Sequence, residues 1–240
     1  MSARVYAVAT MDTKGVEIAF VAERVRACGV EVVTVDVGTK DSPAVVPDVS
    51  RQQVAASLPT ENVLGHVDRG EAVTAMSRAL VEFLKAEHTA GRLAGVIGIG
   101  GGGGTALIAP AMRALPVGVP KLLVSTMASG NVGPYVDCSD ITMMYSVVDV
   151  AGINSVSRRV LANAAAAIAG MARNPLSPTD EKPTLGMTIF WLMNDSAFLL
   201  GMWWWILAPV TVLVILFVGL YLITAGLDEL ANPRLRVRTS

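Results

Sequence analysis

A run of five glycines, Gly100 to Gly104, is followed by Thr105 and is the segment of the sequence best suited to hold an anion. It follows an apolar stretch typical of a strand and precedes a stretch typical of a helix. In that setting glycines let backbone N–H groups approach a phosphate, and the helix start adds partial positive charge. We therefore predict a phosphate site here, the alternative being a glycine turn that binds nothing. The predicted ligands are Gly100, Gly101, Gly102, Gly103, Gly104 and Thr105.

A second polar group, Asp12, Thr13 and Lys14, follows the first strand-like stretch. It offers a carboxylate, a hydroxyl and an ammonium group. Asp12 is a candidate ligand for Mg²⁺, and Lys14 is a candidate counter-charge for a phosphate. The alternative is a helix N-cap followed by a solvated lysine.

A third group, Ser125, Thr126 and Ser129, follows the last of the predicted buried strands. Hydroxyls in that position suit a phosphate or another oxyanion, but turns use the same residues. Asp140 and Asp149 enclose a strand-like segment. They either bind a substrate or a metal, or only border the strand.

Several site classes lack sequence support. The glycine run has no Gly-Lys-Ser/Thr ending, so an ordinary P-loop NTPase is not indicated. No acidic residue lies at the usual distance on a following strand, so a dinucleotide is not indicated either. The net charge is −1 with scattered Lys and Arg, which predicts no nucleic-acid partner. Cys28 and Cys138 lack zinc-site spacing, and no catalytic constellation is evident.

The elements that must position these groups alternate between strand and helix over residues 1–172. We predict an α/β fold, with a Rossmann-like parallel sheet and helices on both faces. The loops that follow the strands then meet at one edge, where such sheets bind ligands. The loops in question are residues 10–15, 36–38, 98–105 and 125–130. Predicted strands span residues 5–9, 30–35, 93–99 and 121–124, and predicted helices span 16–27, 71–87, 105–115 and 155–171, with a short helix starting at Arg51.

The C-terminal part is of a different kind. Residues 173–183 contain three prolines and mixed charge, which predicts a linker. Residues 196–227 contain no charged side chain, and this length predicts one C-terminal transmembrane helix over about 203–227. Three tryptophans, Trp203 to Trp205, stand at its start and suit a membrane interface.

Ordered blocks over residues 1–172 resemble the Tm-one-like ATP-binding domain family. They are Thr10-Met-Asp-Thr-Lys-Gly15, Ile97-Gly-Ile-Gly-Gly101, Gly103-Gly-Thr105, Val117-Gly-Val-Pro-Lys121, Val124-Ser-Thr-Met-Ala-Ser-Gly130, Ser139-Asp-Ile-Thr-Met143 and Asn163-Ala-Ala165. The resemblance implies a Rossmann-like domain that binds ATP with magnesium, through Asp12, Thr13, Lys14, Gly101, Gly103, Gly104, Thr105, Ser125 and Ser129. The family usually has Ser where this chain has Gly102, and it continues into a second α/β domain that this chain is expected to lack.

Residues 183–236 resemble the end of a peptide-type ABC transporter permease, without that family's other helices. The C-terminal arginines Arg234, Arg236 and Arg238 favour a cytoplasmic C-terminus. An N-terminal domain without a signal sequence favours the opposite orientation. These conflicting signals indicate a gene fusion, a truncation or a rearrangement.

The sequence thus predicts an ATP-binding module at the inner (plasma) membrane, with its N-terminal domain in the cytoplasm. Its expected partners are a nucleotide and the lipid bilayer, together with permease subunits or a second copy of the chain. Two alternatives stay open. One is a component or remnant of a peptide-type ABC permease, and the other is an enzyme of unknown reaction acting on a phosphorylated or nucleotide substrate.

Overall fold

The computed structural model describes residues 3–174 and 203–231 of the chain. These residues belong to two compact units, Met1–Pro175 and Leu176–Ser240. The proposed linker, residues 173–183, lies mostly outside the described residues. Residues 184–202 and the three C-terminal arginines also lie outside them.

A parallel five-stranded sheet forms the centre of the N-terminal unit. Its strands are β1 (Arg4–Ala9), β2 (Val32–Asp36), β3 (Leu93–Gly100), β4 (Lys121–Ser125) and β5 (Thr142–Tyr145). Their order across the sheet is β2-β1-β3-β4-β5. Every residue of β2 and β4 is buried, as expected for a parallel sheet covered on both faces.

The helices divide between the two faces of the sheet. They are α1 (Met11–Ala27), α2 (Arg51–Ala55), α3 (Arg69–Thr89), α4 (Gly102–Arg113), α5 (Gly133–Val136) and α6 (Ser155–Ala172), with a 3₁₀ helix at Thr126–Ser129. Helices α1 and α6 enclose one apolar core, which includes Ile18 and Leu161. Helices α3 and α4 pack on the other face around Leu80 and Leu107. The predicted α/β architecture with a parallel sheet is therefore confirmed.

Three helices start earlier than the sequence predicts, and all three starts adjoin the candidate site. Helix α3 begins at Arg69 instead of residue 71. Helix α1 begins at Met11 instead of residue 16, and Lys14 interrupts it with φ −126° and ψ 18°. Helix α4 begins at Gly102 instead of Thr105, so three glycines form its first turn. Glycine is a poor helix former, which is why the pattern alone placed the start after the glycine run.

An ion pair between the buried Lys121 and the partly exposed Asp140 fixes the entrance to β4. The side chain of Lys121 has no solvent exposure and donates to the Asp140 carboxylate and to the Pro116 carbonyl oxygen, the latter at 2.7 Å. The Gly118 N–H donates to the other Asp140 oxygen at 2.7 Å. Burial by itself would raise the pKa of Asp140, but the hydrogen bonds from Lys121 and Gly118 outweigh it and lower that pKa. Asp140 therefore anchors the start of β5, in keeping with the structural alternative for this residue.

A second polar cluster joins Tyr6 of β1 to Glu87 of α3 and to Arg92, which precedes β3. Arg92 makes two hydrogen bonds to the Glu87 carboxylate, at 2.8 and 2.6 Å. The buried Tyr6 hydroxyl donates to the same carboxylate. Burial and this hydrogen bond raise the pKa of Tyr6 to about 12. The cluster ties β1 to the end of α3 and is internally satisfied.

The C-terminal unit contains the helix α7 (Trp203–Ala231). Its segment Val210–Leu227 has a mean hydropathy of 2.5, so it is long and apolar enough to cross a membrane. Within it, the hydroxyls of Thr211 and Thr224 donate to carbonyl oxygens one turn earlier, each at 2.7 Å.

Candidate functional site

A cavity of about 360 Å³ opens at the carboxyl ends of β1 and β3. The strand order reverses between these two strands, since β1 connects to β2 on one side and β3 to β4 on the other. Open α/β sheets bind their ligands at such reversal points. The cavity is lined by Thr10, Asp12, Thr13, Lys14, Thr39, Lys40, Arg69, Val73, Gly101, Gly102, Gly103, Gly104 and Leu107.

One wall of the cavity is the first turn of α4. Gly101 caps this helix without a side-chain bond, and the Thr105 N–H donates to the Gly101 carbonyl oxygen at 2.8 Å. The N–H groups before Thr105 have no partner inside the helix, as at any helix start. Three glycines at this turn leave those groups uncovered, so the wall presents backbone donors and the positive end of the helix dipole.

Gly100 packs against the backbone of Gly104 and Thr105 in the first turn of α4. A Cβ on Gly100 would lie 2.6 Å from the Thr105 nitrogen and 2.7 Å from the Gly104 carbonyl carbon. Both atoms belong to the backbone and cannot rotate away. The end of β3 and the start of α4 therefore meet at a distance that only glycine permits.

The opposite wall is formed by Thr10 and the first turn of α1. The Lys14 N–H donates to the Thr10 carbonyl oxygen at 2.8 Å, and the hydroxyls of Thr10 and Thr13 lie 3.1 Å apart. Because Lys14 is non-helical, it separates this first turn from the rest of α1. The structure thus brings Asp12, Thr13 and Lys14 to the same cavity as the glycine wall.

A buried carboxylate that the sequence analysis did not select holds this turn in place. Asp36 ends β2, and its Oδ1 accepts the N–H groups of Met11 at 3.0 Å and Gly38 at 2.8 Å. The Asp12 carboxylate lies beside the same glycine, with its Cγ 3.2 Å from an ideal Cβ position on Gly38. Asp36 directly follows a predicted strand, and this position was the sequence signal that could have identified it as a residue of the site.

Three cations border the cavity, and the sequence analysis selected only Lys14. Lys40 follows β2, and Arg69 is the first residue of α3. One guanidinium nitrogen of Arg69, Nη2, lies 3.8 Å from an ideal Cβ position on Gly103. Among the described residues, none of these three cations forms an ion pair. Arg51 fixes the loop that contains Lys40, since its Nη1 donates to the carbonyl oxygens of Gly38 and Lys40 at 3.3 and 3.2 Å.

The hydroxyls after β4 lie behind the glycine wall instead of in the cavity. Thr105 and Ser125 are buried, and their hydroxyl oxygens are 2.6 Å apart. Thr126 Oγ1 is 3.8 Å from an ideal Cβ position on Gly101. The exposed Ser129 hydroxyl donates to the Thr126 carbonyl oxygen at 3.4 Å. None of these four side chains is among the described residues that line the cavity.

Asp12, the one acidic residue among the described residues that line the cavity, fits one mode of Mg²⁺ binding. Across residues 3–174 and 203–231 no group of three or more His, Cys, Asp or Glu side chains forms a metal cluster. Magnesium, however, is commonly held by one or two carboxylates together with substrate phosphates. Asp12 lines the cavity opposite the glycine wall, so it fits that arrangement.

Comparison with known proteins identifies relatives of the N-terminal unit. A UPF0261 protein of Mesorhizobium japonicum is 52% identical over 189 residues, covering 78% of this chain and 47% of that protein. A UPF0261 protein of Clostridium tetani is 38% identical over 193 residues, covering 79% and 48%. The ToMV resistance protein Tm-1 of Solanum lycopersicum is 40% identical over 214 residues, covering 79% and 28%.

The chain spans about half the length of these bacterial relatives and a smaller share of the tomato protein. Among solved structures, Drosophila melanogaster DJ-1beta matches with a TM-score of 0.37 and 18% identity, covering 72% of this chain and 92% of that one. The model of the uncharacterised protein family UPF0261, N-terminal domain, matches residues 3–177. The chain therefore belongs to the UPF0261 family, and residues 3–177 correspond to its N-terminal domain.

Proposed function

We propose that the N-terminal unit binds a nucleotide, ATP, with its phosphates in the cavity against Gly101 to Gly104. One observation carries this proposal: uncovered helix N–H groups and three cations line one cavity where the strand order reverses between β1 and β3. Within the described part of the chain these cations form no ion pair. Backbone donors and the helix dipole favour an anion there, and Lys14 supplies a counter-charge. The resemblance to an ATP-binding family supports the choice of nucleotide.

Magnesium would be held by Asp12, directly or through a water molecule. In that position the ion would neutralise part of the phosphate charge. Thr10 and Thr13 offer hydroxyl donors on the same wall. The residues present therefore suit a magnesium-bound nucleotide.

We expect the full-length chain in a non-ionic detergent to bind ATP in the presence of Mg²⁺ by titration calorimetry. Replacing Lys14 with Ala should weaken that binding about tenfold or more, because a charge-assisted hydrogen bond is lost. The matched control is Lys85→Ala, which removes an exposed lysine of α3 paired with Glu82. No heat of ATP binding to the folded wild-type chain would overturn the proposal, as would equal losses in the two variants.

We further propose that α7 anchors the chain in the inner membrane, with the N-terminal unit in the cytoplasm. The support is the apolar segment Val210–Leu227, whose two threonine hydroxyls donate to its own backbone. A hydrophobic helix with internally satisfied polar groups is compatible with a bilayer core.

Membrane fractionation with protease protection tests this anchoring. We expect the wild-type chain to remain with the membrane through an alkaline carbonate wash, and its N-terminal unit to resist protease added outside spheroplasts. Leu216→Lys should shift the chain to the soluble or aggregated fraction, because a lysine at the helix centre opposes insertion by about 3 kcal/mol. Leu216→Ile is the matched control. Release of the wild-type chain by carbonate would contradict the anchor.

A further inference from the structure

The net charge of the side chains that line the cavity indicates how many phosphate groups a bound ligand carries. This inference rests on the proposed function. Lys14, Lys40 and Arg69 contribute three positive charges, and Asp12 contributes one negative charge. A triphosphate bound to Mg²⁺ carries about two negative charges, a diphosphate about one and a monophosphate about none. The excess of two positive charges on the lining therefore matches the magnesium triphosphate.

The cations are also held at different points around the glycine wall. Lys14 belongs to the turn after β1, Lys40 to the loop clamped by Arg51, and Arg69 to the start of α3. Like charges brought to one cavity repel each other unless a polyanion lies between them. A chain of phosphates is long enough to contact several cations at once, whereas a single phosphate is not.

The remaining residues that line the cavity have few side chains that could recognise the base of a nucleotide. Its apolar side chains are Val73 and Leu107, both aliphatic. Among the described residues that line the cavity there is no aromatic ring for stacking and no side-chain amide for base-edge hydrogen bonds. The polar groups that remain are hydroxyls, backbone N–H groups and charges, all of which suit phosphate oxygens.

We propose that this cavity recognises a chain of three phosphates and is indifferent to the group attached to it. Its ligands are then nucleoside triphosphates of any base, and also inorganic triphosphate. Lys40 and Arg69 are the binding residues that select the length of the phosphate chain, since they extend the cationic lining beyond Lys14.

Calorimetry on the full-length chain in detergent with Mg²⁺ tests this selection, using ATP, GTP, inorganic triphosphate, ADP and AMP. We expect the three triphosphates to bind within about threefold of one another, ADP about tenfold more weakly, and AMP about a hundredfold more weakly. If ATP binds but GTP and inorganic triphosphate are more than about thirtyfold weaker, the base is read and this inference is overturned, while ATP binding stands. If no triphosphate binds, the proposed function itself fails.

Substitution of the two cationic residues tests independently whether they select the length of the phosphate chain. Arg69→Ala and Lys40→Ala should each reduce the preference for ATP over AMP by about tenfold, because each removes a contact to the outer phosphates. Lys85→Ala, on the exposed face of α3, should leave the preference unchanged. A preference that stays at the wild-type value in both cavity variants would exclude Lys40 and Arg69 as the selecting residues.

Discussion

Replacing Gly100 with Ala is expected to lower the free energy of unfolding by about 3 kcal/mol and to abolish ATP binding. The new Cβ would lie 2.6 Å from the Thr105 nitrogen and 2.7 Å from the Gly104 carbonyl carbon, both backbone atoms. The start of α4 would therefore have to move away from β3, and the glycine wall would move with it. Chemical denaturation and calorimetry measure the two effects.

The matched control for this substitution is Gly170→Ala in α6. Nothing lies within 4 Å of an ideal Cβ position on Gly170, so the alanine meets open space. There the substitution should raise the free energy of unfolding by up to about 1 kcal/mol, because alanine favours a helix more than glycine does. A Gly100→Ala chain as stable as the wild type would show that the end of β3 tolerates a side chain.

Replacing Asp140 with Ala is expected to lower the free energy of unfolding by about 3 kcal/mol, the lower end of the range for breaking a buried pair. The substitution leaves the fully buried Lys121 ammonium with only the Pro116 carbonyl oxygen as a partner. We choose the lower end because the Asp140 side chain is 35% exposed, so solvent screens part of the interaction. The double variant with Lys121→Met should recover part of the loss, since it removes the unpaired charge.

The Lys121–Asp140 pair also makes the free energy of unfolding depend on pH, and the direction of that dependence follows from the pKa of Asp140. The pKa of Asp140 is lower in the folded chain than its ordinary value, so its contribution to stability is present above the ordinary value. That contribution is lost as the pH falls through the lowered pKa, and the Asp140→Ala chain should lack this loss of stability at acidic pH.

The control for the cost of Asp140→Ala is Glu82→Ala, which breaks the exposed pair with Lys85. It should lower the free energy of unfolding by at most about 0.5 kcal/mol. If Asp140→Ala and Glu82→Ala lowered the free energy of unfolding equally, the prediction would be contradicted.

The local pattern of the sequence was sufficient to predict the parallel sheet and four of its five strands. Apolar runs between helical stretches predict strands within a few residues of their positions, because a parallel strand buried on both faces is apolar throughout. Residues 5–9 were predicted for β1, and the strand is Arg4–Ala9. Residues 121–124 were predicted for β4, and the strand is Lys121–Ser125. The loops after β1 and β3 then meet through topology alone.

The cationic side of the cavity was not predictable in the same way. Lys40 lies in the segment of residues 39–68 and Arg69 follows it, and this segment has little hydrophobic periodicity. What returns this segment to the cavity is tertiary contact, such as the hydrogen bond from the Ala44 N–H to the Met11 carbonyl oxygen at 2.9 Å. Such contacts depend on distant residues and leave no local pattern.

The hydroxyls of Thr105 and Ser125, behind the glycine wall, belong to a continuous chain of hydrogen bonds. The Met127 N–H donates to Ser125 Oγ at 3.0 Å, and Thr105 Oγ1 donates to the Gly100 carbonyl oxygen at 3.5 Å. The hydroxyl oxygens of Thr105 and Ser125 lie 2.6 Å apart, and either hydroxyl can donate to the other. Hydrogen bonds therefore connect the 3₁₀ helix after β4 to the start of α4 and to the end of β3. A displacement of this 3₁₀ helix would be transmitted to a cavity that its own side chains do not line.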